Sequence, residues 1–169
     1  AGGGKSDCLL MGALQYVDVP GYAALILRKT YTDLSLPGAL MERAQSWLGG
    51  TNAIWKDSEK TWHFPRGSTI SFGYLERDAD KFRYQSAEFQ YIAFDELTQF
   101  KESMYTYLFS RLRRLKGSEV PIRMRAASNP GNIGHEWVRQ RFLEEGLARG
   151  RAFIRATLDD NPSLDREGY

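Results

Sequence analysis

Cysteine is almost absent: Cys8 is the only one in 169 residues. No intrachain disulfide can form and no thiolate metal cage exists, so a reducing, intracellular setting is the expectation. No run approaches the ~20 apolar residues that span a bilayer, which argues against a membrane partner. There is no initiator Met and no basic-plus-apolar leader, and the reading is a fragment that begins inside a gene product. With two histidines, His63 and His135, and no ligand spacing around them, a histidine metal site is excluded. The pair His135-Glu136 reads as a helix start instead. Strong net charge is missing too, at +2 from 23 basic and 21 acidic residues. The distribution is uneven, because Arg111 to Arg155 holds eleven Lys/Arg against four Asp/Glu. That stretch suits either phosphate tracking or solvated helix faces.

What is present suits one domain: 42% hydrophobic and 13% aromatic residues are enough for a core of ordinary size. Apolar runs of strand length alternate with segments of helical periodicity. "AALILRKT" (Ala23 to Thr30), "YIAFDE" (Tyr91 to Glu96), "IRMRAASNP" (Ile122 to Pro130) and "AFIRATL" (Ala152 to Leu158) read as buried strands. Helices are expected over Lys5 to about Val17, from Pro37 in a first turn to about Leu48, over Ser103 to Leu115 and over His135 to Gly146. "KTWHFPRGSTISFGYL" predicts an antiparallel hairpin about "PRG". The alternation implies an α/β fold with a mostly parallel sheet covered by helices on both faces. Trp47, Trp55, Trp62 and Trp137 read as packing residues, with base stacking the other possibility.

Three short segments carry chemistry. "GGGKS" has the form of the second half of a phosphate loop, in which backbone N–H groups cradle phosphates, a lysine reaches the terminal ones and a hydroxyl ligates Mg²⁺. This makes Gly2, Gly3, Gly4, Lys5, Ser6 and Asp7 candidate nucleotide-binding residues; the first glycine of the pattern would lie upstream of Ala1. A flexible glycine turn before a helix is the plainer alternative. At the end of "YIAFDE", a strand delivers two carboxylates to the carboxyl edge where open α/β sheets bind ligands. Asp95 suits a Mg²⁺ ligand beside Ser6, and Glu96 the base that orients an attacking water. A helix-capping acid is the other reading. "AASNPGNIG" places Ser128, Asn129 and Pro130 at a further strand end, where the Asn amide can sense a γ-phosphate by exchanging hydrogen bonds, unless the segment is simply an Asx turn.

The order "GGGKS", "YIAFDELTQF", "RAASNPGNIGHEWVRQRF" and "ATLDDNP" resembles the ATPase domain of the large terminase subunit of tailed bacteriophages. The resemblance implies a P-loop NTPase of the additional-strand-Glu, RecA-like class with strand order 5-1-4-3-2. It implies ATP and Mg²⁺ as cofactors, Lys5 as the Walker A lysine, Ser6 and Asp95 as metal ligands, Glu96 as catalytic glutamate and Ser128 to Pro130 as coupling motif. It further implies double-stranded DNA, a portal protein, a small terminase subunit and a homo-oligomeric ring as partners, with work in the host cytoplasm on a procapsid. Another DNA-stimulated P-loop translocase, such as a helicase, is the alternative. Residues 1–158 are read as the ATPase domain and 159–169 as the start of a linker. The family's RNase H-like nuclease domain is not in this sequence, so Asp159, Asp160 and Asp165 are read as turn and linker residues. Arg83 is the first candidate for an arginine finger offered to a neighbouring subunit, followed by Arg111 and Arg114 on one helix. Arg28 and Lys29 are placed facing DNA or nucleotide. In this class the first strand precedes the phosphate loop, and the sequence does not contain it. A cleft is therefore expected between "IRMRAAS" and "AFIRATL", with a loop too poorly anchored to bind ATP well.

Overall fold

The computed structural model describes residues 4–157 and Asp160. Gly2, Gly3, Asp159 and Asp165 lie outside the described residues. Gly4 has φ 66°, a left-handed turn that costs glycine little, and its carbonyl accepts from Cys8 N at 3.0 Å as the chain enters α1 (Lys5–Leu14). β1 (Ala23–Arg28) follows, then α2 (Tyr31–Ser35) and α3 (Leu40–Leu48). A capping box starts α2: Asp33 N donates to Thr30 Oγ1 at 3.1 Å, and Thr30 N to Asp33 Oδ2 at 3.2 Å. Two helices thus stand where one was expected. Pro37 lies between them rather than in a first turn, because α2 closes at Ser35 and α3 is capped by Ala39.

β2 (Ile54–Lys56), β3 (Thr61–His63) and β4 (Thr69–Tyr74) form an antiparallel meander that includes the expected hairpin about residues 64–67. β5 (Tyr91–Asp95), α4 (Glu102–Phe109), β6 (Arg123–Ala127) and α5 (His135–Arg139) complete the regular elements. The six strands are ordered β2-β3-β4-β1-β5-β6, with β1 parallel to both β4 and β5, and β6 parallel to β5. Period-two alternation divides the strands between two cores. Ala24 and Ile26 of β1, with Tyr91 and Ala93 of β5, face α1 and α3. Leu25 and Leu27, with Ile92 and Phe94, face the side that carries α4 and Trp137. Helices therefore cover both faces of a mostly parallel sheet, as the sequence implies.

Trp62 is buried, Trp55 packs on it at 5.6 Å between ring centroids, and Trp137 packs on Tyr105 at 5.5 Å. Trp47 is exposed.

Three expectations need correction. Residues 152–157 form no strand and are mostly exposed. Among the described residues β6 ends the sheet, and this run does not pair with it, so it has no ladder to satisfy its backbone. The expected cleft between two strands is accordingly not formed. The helix over 103–115 stops at Phe109, because the chain leaves it to pair with Phe89: Phe89 N donates to Arg111 O at 3.1 Å, and Arg113 N to Phe89 O at 2.9 Å. Arg111 and Arg114 are therefore not on a helix. The helix at His135 is α-helical only to Arg139 and continues as a π-helical turn, Gln140–Glu144, with Glu145 N donating to Gln140 O at 3.0 Å.

Candidate active site

The carboxyl ends of β1 and β5 build the site. Their register pairs Leu27 with Phe94, so Arg28 and Asp95 come level on one edge. By alternation both fall on the α1 face, with Ile26 and Ala93. α1 is held close there. Tyr91 Oη donates to Leu9 O at 2.9 Å, and Gly12 lies where an added Cβ would come within 2.6 Å of that phenol oxygen. This docking aims the first turn of α1 at Asp95. Ser6 Oγ contacts both carboxylate oxygens of Asp95, at 3.0 and 3.1 Å, across 89 residues of sequence. Arg28 Nη1 stands 3.3 Å from Asp95 Oδ2.

Asp95 is only 2% exposed. Burial raises its pKa above the ordinary carboxylate value, with Arg28 and the Ser6 hydroxyl pulling the other way. Lys5 is half-buried beside Ser6, and its ammonium makes no ion pair among the described residues. The next residue after Asp95, Glu96, has φ 56°, a left-handed conformation rare for a residue with a side chain. That turn sends the chain sharply into the 3₁₀ turn Leu97–Gln99. Glu96 Oε1 accepts a hydrogen bond from Asn129 Nδ2 at 3.2 Å.

Asn129 reaches Glu96 because β6 runs level with β5: Ala127 pairs with Asp95, so the residues after each strand meet. Thr98 fastens the two loops. Its backbone N donates to Ser128 Oγ at 3.1 Å, its hydroxyl shares a 2.9 Å bond with that same oxygen, and the hydroxyl also donates to Asn129 O at 3.0 Å. Gly134 N donates to Thr98 O at 2.7 Å, and Trp137 Nε1 to Phe100 O at 2.9 Å. The segment from Ser128 to Trp137 is thus tied along the turn that follows the two carboxylates.

Hard oxygen donors converge at this edge. Ser6 and Asp95 fit Mg²⁺, which binds through one or two protein oxygens and keeps the rest of its shell for water and phosphate. Among the described residues no cluster of three or more His, Cys, Asp or Glu offers an all-protein cage. A phosphate-bearing ligand would complete such a site.

Residues 44–168 match the family profile described as phage terminase large subunit. The chain belongs to that family. The matched range contains Asp95, Glu96 and Ser128 to Pro130 but not α1. Solved structures of the large terminase from a thermophilic bacteriophage share the fold. The complex with ATP-γ-S is 18% identical over 98% of this chain, TM-score 0.71, and the complex with ADP is 18% identical over 96%, TM-score 0.66. A further crystal form is 17% identical over 96%, TM-score 0.69. The chain covers about two fifths of that thermophilic phage protein, 39% to 40% in these three structures. No curated protein matches the sequence.

Against the expected site residues, this terminase chain brings together Ser6, Asp95, Glu96, Ser128 and Asn129. Gly4 and Lys5 lead into the same corner. Pro130 is exposed and follows directly on Asn129. Asp7 turns away: both its oxygens lie 2.5 Å from Arg43 Nη1, so its carboxylate ties α1 to α3. Arg83 stands apart from the Ser6–Asp95 contact. Its Nη2 pairs with Asp80 at 2.7 Å and its guanidinium lies 4.8 Å over the Tyr74 ring. Arg111 donates to Gln85 O and lies over Tyr107. Lys29 donates to the carbonyls of Leu75 and Glu76, a structural use, and burial lowers its pKa. His135 is a helix-start residue, with Nδ1 accepting from Gly131 N at 3.1 Å. Asp160 closes a local turn on Thr157.

Sequence reasoning missed Thr98 and read Arg28 only as a residue facing DNA or nucleotide. Thr98 carries a signal only in hindsight, as a buried hydroxyl three positions after Asp95. Arg28 was visible as a charge ending an apolar strand, and only the β1–β5 register assigns it to Asp95.

Proposed function

We propose that this chain is the ATP-hydrolysing motor domain of a phage terminase large subunit, using Mg-ATP to drive double-stranded DNA into a procapsid. The observation that carries this reading is the Ser6 hydroxyl set against the buried Asp95, one residue before a Glu96 whose carboxylate is held by Asn129. Family membership and the shared fold with the nucleotide-bound thermophilic phage terminase support it.

Lys5 binds the terminal phosphates as a mobile point charge. Ser6 and Asp95 would hold Mg²⁺, and the ion would supply neutralisation of the charge that develops on the phosphates. Glu96 orients the attacking water and takes its proton at a carboxylate oxygen. Asn129 Nδ2 holds Glu96 Oε1 and so orients the carboxylate, which couples chemistry at Glu96 to the position of the 128–137 segment through one amide. Arg83 is the candidate finger for a neighbouring subunit in a ring. Its side chain is 46% exposed, and Asp80 and the Tyr74 ring hold it in one pose. In the assembled motor the partners are the portal protein and the small subunit in the host cytoplasm, and nuclease activity belongs to another part of the full-length protein.

Glu96→Gln tests the reading. The amide keeps the size of the side chain and removes the base, so Mg-ATP binding should persist while turnover falls by about 10²–10⁴-fold. Hydrolysis at the unsubstituted rate would remove Glu96 from the mechanism.

A further inference from the structure

Arg28 has no part in the hydrolysis just described, yet it occupies the best-placed acceptor in the site. Its guanidinium is 21% exposed and its partner Asp95 3% exposed, so the pair sits largely out of solvent screening. Arginine cannot shed its proton in a protein, so this charge leaves Asp95 only by moving. The contact is built loosely. It is a single approach at 3.3 Å, where a strong charge-assisted bond runs at about 2.7–2.9 Å and a good Arg–carboxylate pair is bidentate. Arg28 Nε is buried with no hydrogen-bond partner among the described residues. A guanidinium with an unfilled buried donor, held by one long contact, is poorly satisfied where it stands.

We propose that Arg28 is a placeholder for the divalent cation: it neutralises Asp95 while the metal subsite is empty and must withdraw before Asp95 can ligate Mg²⁺. The inference rests on the assignment of Ser6 and Asp95 as metal ligands. Like charges compete for one carboxylate, so the arginine lowers the affinity of the nucleotide-free site for metal and makes tight metal capture depend on an incoming anion. The orphaned Nε is a donor suited to an anionic oxygen of such a ligand, which would draw the guanidinium off Asp95. Arg28 is thus a positioning residue that makes metal and nucleotide arrive together.

The test titrates Mn²⁺ and follows the free ion by electron paramagnetic resonance, with and without ATP-γ-S. Without nucleotide, Arg28→Gln should bind Mn²⁺ about tenfold or more tightly than the unsubstituted protein, as expected when a competing charge is removed. Adding Asp95→Asn to that variant should abolish the gain. With ATP-γ-S present the advantage of Arg28→Gln should shrink or reverse. Equal or weaker nucleotide-free binding in Arg28→Gln overturns the proposal. Should that variant fail to fold, Arg28→Lys gives the same comparison, because its shorter ammonium competes less well. It should bind Mn²⁺ several-fold more tightly than the unsubstituted protein, and no change counts against the proposal. Failure of the underlying reading looks different: Ser6→Ala and Asp95→Asn would then leave Mn²⁺ binding with ATP-γ-S untouched.

Discussion

Thr98→Val isolates the fastening between the carboxylate turn and the Asn129 loop. Thr98 is 3% exposed and valine has nearly its shape, so the substitution opens no cavity and removes only a hydroxyl. Two contacts go, the 2.9 Å one with Ser128 Oγ and the 3.0 Å one to Asn129 O. The approach of Asn132 Nδ2 at 3.5 Å is at the limit of a hydrogen bond and adds little. Ser128 Oγ keeps its bond from Thr98 N, and its single proton is then free for Asn129 O at 3.1 Å, so no buried group is stranded and the net loss is one bond. At about 1 kcal/mol net per bond, the expected loss is about 1 kcal/mol. For a domain of this size that is a fall of about 2–4 °C in Tm. The assay is thermal denaturation of Thr98→Val beside Thr98→Ser, which keeps the hydroxyl and loses a methyl, together with steady-state ATP hydrolysis. In the valine variant kcat should fall while KM stays nearly constant, because Asn129 and Glu96 lose their common anchor but the phosphate-binding groups do not move. An unchanged Tm and kcat in the valine variant, or a serine variant with the same fall in kcat, would refute the argument.

Asp95→Asn should end hydrolysis and flatten the pH dependence of stability between about pH 4 and about pH 7. Burial raises the pKa of Asp95 in the folded state, so the native protein holds its proton more tightly than the unfolded chain, and stability from this group falls as pH rises from the ordinary carboxylate value through the raised one. The unsubstituted protein should therefore lose stability relative to the variant as pH rises from about 4 to about 7, measured by denaturant unfolding at each pH, and a gain over that range would contradict the sign. Gly12→Ala should cost about 1–3 kcal/mol and raise KM for ATP, since its Cβ would lie 2.6 Å from Tyr91 Oη and 2.9 Å from Arg125 Nη1 and would push α1, with Ser6, off the sheet. Unchanged melting and KM would mean that α1 docks by other contacts.

Local chemistry explains what could be read in advance. The apolar run of "YIAFDE" makes a strand that ends in two acids, "PRG" makes a hairpin, and a glycine turn before Lys5 and Ser6 makes a helix start, all from residues within a few positions of one another. The mistakes came where a local pattern had to compete with a distant partner. "AFIRATL" has strand composition, but residues 152–157 find no ladder. The apolar period through Leu115 suggests a longer helix, but Phe89 captures Arg111 and Arg113 and ends it. Asp7 looks like part of a phosphate loop and is claimed by Arg43.

By itself the sequence determined which chemical groups stand at the ends of which strands and helices, because side-chain alternation, capping and glycine turns act over a few residues. Only the tertiary structure decided that Ser6, Arg28 and Asp95 share one corner, and that Thr98 ties the carboxylate turn to the Asn129 loop. Those meetings depend on strand register and on how closely Gly12 lets α1 approach Tyr91, and both are set by packing between segments far apart in the chain.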